Sequence, residues 1–245
     1  MPHTFTRAGE FRAGMKATIP LIIGAMPFGI IFGALGVSAG LSPAAVQGLS
    51  LIVFAGSAQF IGVGLYAGGV ATSIIILTTF IVNLRHALYS ASLAPFMRHL
   101  PQKWLLPLGF WLTDESYAVV IVRYNEDDDS PYKHWFYLGS ALLMYTNWQI
   151  CTFIGITAGQ LIPDATQWGL DFAMTVTFIG IVVPLVKTRP FLVCVIVSAV
   201  TALLTYPLPN KLGLMVAALV GIVAGMIAEG ALPEPPPQPE AEAST

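Results

Sequence analysis

Long apolar runs separated by short polar connections dominate this chain. Eight runs of about membrane length stand out, at 17–38, 44–67, 71–94, 104–123, 134–158, 168–186, 190–207 and 211–229. A helix needs about 20 apolar residues to cross a bilayer. The pattern therefore predicts an all-α, polytopic transmembrane helical bundle of about eight spans, or seven with a re-entrant segment. Strands of a membrane barrel would alternate apolar and polar residues in short segments, which these runs do not. The short connections predict one bundle. Its limits are a cytoplasmic N-terminal segment at 1–16, a transmembrane domain at 17–230 and a tail at 231–245. That tail holds Pro233, Pro235, Pro236, Pro237 and Pro239 with Glu234, Glu240 and Glu242. Such a segment cannot bury enough apolar area to order itself, and disorder is expected.

Composition strengthens this picture. The 245 residues are 56% hydrophobic and only 10% charged, with a mean hydropathy of +0.75. A soluble domain carries roughly 25% charged residues. The lipid bilayer is thus the expected surroundings. A net charge of −2 and the lack of a basic patch give no case for nucleic acid. Cys151 and Cys194 both lie in apolar runs and read as packing residues rather than a disulfide or metal pair. His3, His86, His99 and His134 lack metal-ligand spacing, so no metal or cofactor is expected. The acidic run Asn125–Ser130 lacks the spacing of a calcium loop and reads as a solvated connection. No H-E-x-x-H, G-x-S-x-G or phosphate-binding loop motif occurs, so no enzyme is expected.

The N-terminus resembles a signal peptide, because Arg7, Arg12 and Lys16 precede an apolar run. The run from Ala17 to Val37 exceeds the usual signal core of about 7–15 residues, and a retained first span is the better reading. Lys and Arg concentrate on the cytoplasmic side of membrane proteins. Eight straight spans with the N-terminus inside put seven of them on that side, and Arg98, Lys103 and Lys211 on the other. The Arg98–Lys103 connection then lies on the wrong side. Either the bias is imperfect, or an early re-entrant segment shifts the parity. A faint echo between 40–60 and 169–186 suggests an internal repeat.

Charge within the third and fourth runs is the most informative local feature. The third contains Asn83-Leu84-Arg85-His86-Ala87-Leu88-Tyr89, the fourth Thr113-Asp114-Glu115-Ser116. A central charge costs about 2.5–3.5 kcal/mol on insertion scales and usually marks function. Counting from the expected ends of two antiparallel spans puts Arg85 and Asp114 at one level, about 14 Å below the surface. Arg85 is expected to meet Asp114 or Glu115. The other reading is a buried pair that only fixes helix register. His86 shares a stripe with Asn83; a lone histidine there is more often a packed, hydrogen-bonded residue than a proton carrier. In the second run, Gly56, Ser57 and Gln59 invite a break at mid-depth, which would expose the N–H groups of a half-helix. Close packing through small residues accounts for them equally.

Together, Pro27-Phe28-Gly29, Phe54-Ala55-Gly56-Ser57-Ala58-Gln59-Phe60, Asn83–Tyr89 and Thr113-Asp114-Glu115 resemble the AzlC-type, azaleucine-resistance family of bacterial branched-chain amino acid exporters. The likeness is specific through residue 120. It implies export of hydrophobic amino acids across the bacterial inner membrane, with a small multispan AzlD-type partner subunit. In such a role Asp114 or Glu115 would meet the substrate ammonium. Arg85, or amides near Gly56 and Ser57, would meet its carboxylate. Asn83 and Gln59 would orient it. A passive channel and a non-transporting scaffold or sensor subunit are the alternatives.

Overall fold

The computed structural model describes residues 5–126, 128, 130–161, 183, 186, 188–208 and 212–231. The expected run at 168–186 lies outside these residues, apart from isolated positions. So does nearly all of the proline-rich tail. The described residues form nine helices: α1 (Arg7–Ser38), α2 (Pro43–Ile52), α3 (Gly56–Ala67), α4 (Thr72–Met97), α5 (Gln102–Phe110), α6 (Asp114–Tyr124), α7 (Lys133–Leu161), α8 (Arg189–Leu204) and α9 (Leu212–Gly230). The chain divides into two compact units, residues 1–177 and 178–245.

In the first unit α1 and α7 form the scaffold. They run side by side in the same direction: Thr18 donates to Ser140 at 2.7 Å, and farther along a Cβ on Gly29 would press on Cys151. The helices touch backbone to backbone. A Cβ on Gly33 would strike the Thr152 carbonyl, and one on Gly155 the Ile30 carbonyl. Two glycine pairs at G-x-x-x-G spacing, Gly29/Gly33 and Gly155/Gly159, thus make this contact. Helix α1 begins at Arg7, well before the apolar run, because the Thr6 hydroxyl caps the Gly9 N–H.

The runs at 44–67 and 104–123 are not straight spans. Each is two short helices around a three-residue break, Val53–Ala55 and Trp111–Thr113. The half-helices have 9 to 12 residues, about 14–18 Å each. That is half of a hydrocarbon core about 30 Å thick.

Side-chain contacts show that each pair folds back on itself. Val46, near the start of α2, packs on Gly36 near the end of α1. Gln59 on α3 donates to the Leu49 carbonyl on α2 at 3.0 Å, so the two arms lie together. The chain then turns through Gly69 (φ +67°) into α4 at the same end where α2 began. Helix α4 returns to the end where α1 starts. There Trp104, at the start of α5, meets His134 and Trp135 at the start of α7. Tyr124, at the end of α6, meets Phe96 at 5.5 Å. Residues 43–67 and 102–124 are therefore hairpins that enter from opposite ends of the bundle.

This arrangement is a repeat of inverted direction. A long helix, a four-residue connection, a short helix, a three-residue break and a second short helix occur at 7–67 and again at 72–124. It differs from the echo expected from sequence, whose second half lies outside the described residues. It also accounts for the misplaced basic connection, because the fold-back at 43–67 precedes it. Arg98 and Lys103 lie at the same end as Arg7, Arg12, Lys16, Arg123 and Lys133.

That end is tied by a charge network. Arg123 donates through Nη2 and Nε to both oxygens of buried Glu10, and through Nη1 to Asp128 at 2.7 Å and Glu126 at 3.0 Å. Ser130 donates to Glu10 at 2.7 Å, and Lys133 pairs with Asp128 at 3.0 Å. The acidic connection is thus partly ordered on the bundle.

The second unit contains α8 and α9, packed antiparallel. Gly221 lies against Ser198 and Gly225 against Cys194. The Thr205 hydroxyl reaches the Gly213 carbonyl at 3.1 Å across the turn.

Candidate functional site

The tips of the two hairpins meet beside α4 and α7. Tyr145 of α7 stands between them. Its ring is 4.9 Å from Phe54 at the first tip and 5.9 Å from Trp111 at the second, and its hydroxyl donates to the Leu51 carbonyl at 3.1 Å. From α4, Arg85 reaches both tips with one nitrogen. Its Nη2 is 2.5 Å from the Ser57 hydroxyl oxygen and 2.9 Å from Asp114 Oδ2.

The two tips differ in how their helices begin. Helix α6 is capped within the chain: the Thr113 hydroxyl accepts from the Ser116 N–H, and the Ser116 hydroxyl accepts from the Thr113 N–H at 2.8 Å. It also carries Asp114 and Glu115 in its first turn, where the helix dipole favours negative charge. Helix α3 starts after Ala55, which supplies no capping side chain. The first amides of a helix have no partner within it. Among the described residues no side chain caps Gly56, Ser57 and Ala58, which form an electropositive helix end of the kind that suits an anion.

The structure joins Arg85, Asp114 and Ser57 at one point, with Gly56 adjacent. Arg85 and Asp114 remain partly open, at 30% and 42% side-chain exposure. Glu115 follows Asp114 and forms no salt bridge among the described residues. The Arg85–Asp114 meeting agrees with the depth count from sequence, but the geometry behind it does not. Contacts advance together along α4 and α6, from Arg85–Asp114 through Ser92–Tyr117 to Phe96–Tyr124. The two helices run in the same direction, because α5 intervenes as the descending arm of the hairpin.

The remaining expected residues occupy different positions. Gln59 is 2% exposed and engaged at both ends of its amide, donating to the Leu49 carbonyl and accepting from the Trp148 indole at 3.0 Å. It pins the first hairpin to itself and to α7. His86 lies 3.1 Å from the Asn83 carbonyl, a contact within α4. Among the described residues, the buried Asn83 Oδ1 and Arg85 Nε atoms have no hydrogen-bond partner.

Sequence reasoning missed Tyr89, whose hydroxyl donates to Asp114 Oδ1 at 2.6 Å. The signal was available, since Tyr89 lies one helical turn beyond Arg85. It also missed the polar belt of α2 and α7. Gln47 donates to Gln149 at 2.8 Å, Gln149 to the Ser50 carbonyl at 2.9 Å, and Ser50 meets Thr152 at 2.9 Å.

Residues 20–162 match the family described as AzlC protein. An uncharacterized membrane protein of Archaeoglobus fulgidus is 30% identical over 89% of this chain and 95% of its own length. The inner membrane protein YgaZ of Escherichia coli is 28% identical over 92% of both chains. The branched-chain amino acid transport protein AzlC of Bacillus subtilis is 32% identical over 70% of this chain and 66% of its own. No solved structure matches. Both hairpins and the residues that join their tips fall within the matched segment, and the chain belongs to the AzlC family of membrane proteins.

Proposed function

We propose that this protein is a secondary transporter that exports branched-chain or similar hydrophobic amino acids across the bacterial inner membrane, together with a small multispan partner subunit. The observation that carries the reading is the bridge from Arg85 to Ser57 and Asp114. A zwitterion needs a cation or free amides for its carboxylate and an acid for its ammonium. The open end of α3 with Arg85 offers the first, and Asp114 with Glu115 the second. The name of the Bacillus subtilis relative supports the substrate class.

The N-terminal end of the bundle is the cytoplasmic face. Arg7, Arg12, Lys16, Arg98, Lys103, Arg123 and Lys133 support this, since cytoplasmic connections carry the excess of Lys and Arg. The first hairpin then enters from outside and the second from the cytoplasm. Substrate entering between the tips exchanges its own charges for the Arg85–Asp114 and Arg85–Ser57 contacts. Each hairpin gates one side. One of the two acids couples export to the proton gradient.

The test loads cells with a leucine dipeptide and follows leucine efflux, with and without the small partner. Asp114→Asn and Glu115→Gln are compared with the unaltered chain at equal membrane levels. At least one substitution abolishes efflux. Full efflux in both removes the proposal, and no efflux from the unaltered pair points to a scaffold or another substrate.

A further inference from the structure

The function proposed above gives Asp114 a ligand role but leaves one of its oxygens unexplained. Oδ2 pairs with Arg85, while Oδ1 accepts the Tyr89 hydroxyl at 2.6 Å. Arg85 and Tyr89 are four residues apart and share a helix face, so α4 grips both oxygens of one carboxylate. A carboxylate turns about a soft, two-fold torsion. Arg85 alone would leave the second oxygen free to swing.

Tyr89 is itself held. Its ring lies flat on Tyr117, with centroids 4.4 Å apart and 13° between the planes, and His86 meets it edge-on at 5.9 Å. The Tyr117 hydroxyl is tied back to Ser92 at 3.0 Å. This ring stack fixes the Tyr89 hydroxyl, while Asp114 stays partly open on its remaining side.

We propose that Tyr89 is the positioning residue for Asp114: the stacked ring fixes the hydroxyl, and the hydroxyl fixes the carboxylate, so that a substrate ammonium meets an acid already oriented. The inference rests on the proposed transport reading, and it assigns Tyr89 no direct contact with substrate. Orientation before arrival lowers the cost of binding. Its loss therefore appears in KM and spares the maximal rate.

Leucine exchange is measured in proteoliposomes that hold the chain with its small partner. A hydrogen bond to a charged group corresponds to about a tenfold change in affinity, so Tyr89→Phe raises KM about tenfold and leaves the maximal rate within about twofold. Tyr117→Phe removes a hydroxyl from the same stack but not from Asp114, and it keeps KM within about twofold. An unchanged KM in Tyr89→Phe, or an equal rise in Tyr117→Phe, overturns the inference.

A second measurement does not depend on transport. Melting temperatures are compared for Tyr89→Phe, Asp114→Ala and the double variant. Tyr89→Phe lowers the melting temperature of the unaltered chain but not of Asp114→Ala, which has no acceptor left for the hydroxyl. Additive shifts overturn the inference. Absence of leucine exchange in the unaltered protein instead rejects the transport reading, and the melting cycle still decides whether Tyr89 and Asp114 are coupled.

Discussion

Within the first unit, one guanidinium nitrogen ties the two hairpin tips together. Arg85 Nη2 reaches a hydroxyl on one hairpin and a carboxylate on the other. A lysine would keep the charge but lose the fork that lets Arg share donors in fixed geometry. Arg85→Lys is expected to lower leucine efflux at least ~10-fold, because one lost charged hydrogen bond costs about 1.5–3 kcal/mol. Efflux equal to that of the unaltered chain would show that the bridge is dispensable. The pair itself was legible in the sequence from depth alone, since two charges at one level in neighbouring apolar runs must find each other. The environment of each polar residue was not. Gln59 and Ser57 share a segment, yet one is committed to Leu49 and Trp148 while the other faces Arg85. Two positions in a helix point 200° apart, and sequence alone does not say which direction is the open one.

Among the elements, both breaks have local causes that differ in how plainly they read. The first follows Ile52, and α3 then begins with Gly56, Ser57 and Ala58, small residues that announce a weak point. The second was hidden. Thr113-Asp114-Glu115-Ser116 reads as charge inside a span, and only the reciprocal Thr113–Ser116 cap shows that a helix starts there. The same four residues are therefore both the candidate site and the start of a half-helix. The scaffold was more legible, since spaced glycines on α1 and α7 do form the close contact. Gly33 meets the Thr152 carbonyl and the Ile156 amide with no room for a Cβ. Gly33→Leu forces the backbones apart, at a cost of about 1–3 kcal/mol or more for overpacking. A lower melting temperature in detergent checks this. Gly24→Ala is the control, because nothing lies within 4 Å of a Cβ there. Equal melting of both variants would contradict the packing.

For the whole first unit, the two ends of the bundle are chemically unlike. Arg7, Arg12, Lys16, Arg98, Lys103, Arg123 and Lys133 gather at the N-terminal end, and residues 39–71, which form the connections and hairpin of the opposite end, contain no Lys, Arg, Asp or Glu. The charged end carries a pH dependence. Desolvation pushes the Asp128 carboxyl up, but hydrogen bonds from Lys133, Arg123 and the Ser130 N–H outweigh this and hold it below the usual carboxylate range. A depressed folded value stabilises the protein fully above the unfolded carboxylate pKa of about 3.9. The contribution disappears as pH falls through the lower, folded value. Melting temperature should therefore drop more steeply below about pH 4 in the unaltered chain than in Asp128→Asn. Parallel curves would remove Asp128 from the network. The direction of each crossing was the least legible property of all. Hydropathy reports that a run is apolar, not whether it crosses or returns, and only the basic Arg98–Lys103 connection hinted that the parity was wrong.

The side of the membrane on which two connections lie tests the central claim most directly. Single cysteines are placed at Gly69 and His99, with Cys151 and Cys194 replaced by serine. They are labelled in intact cells with a thiol reagent that does not cross the inner membrane. Two opposed re-entrant hairpins predict labelling from outside at position 69 and only after membrane disruption at position 99. Straight spans reverse both results, and that reversal would contradict a site built where two half-helix tips meet.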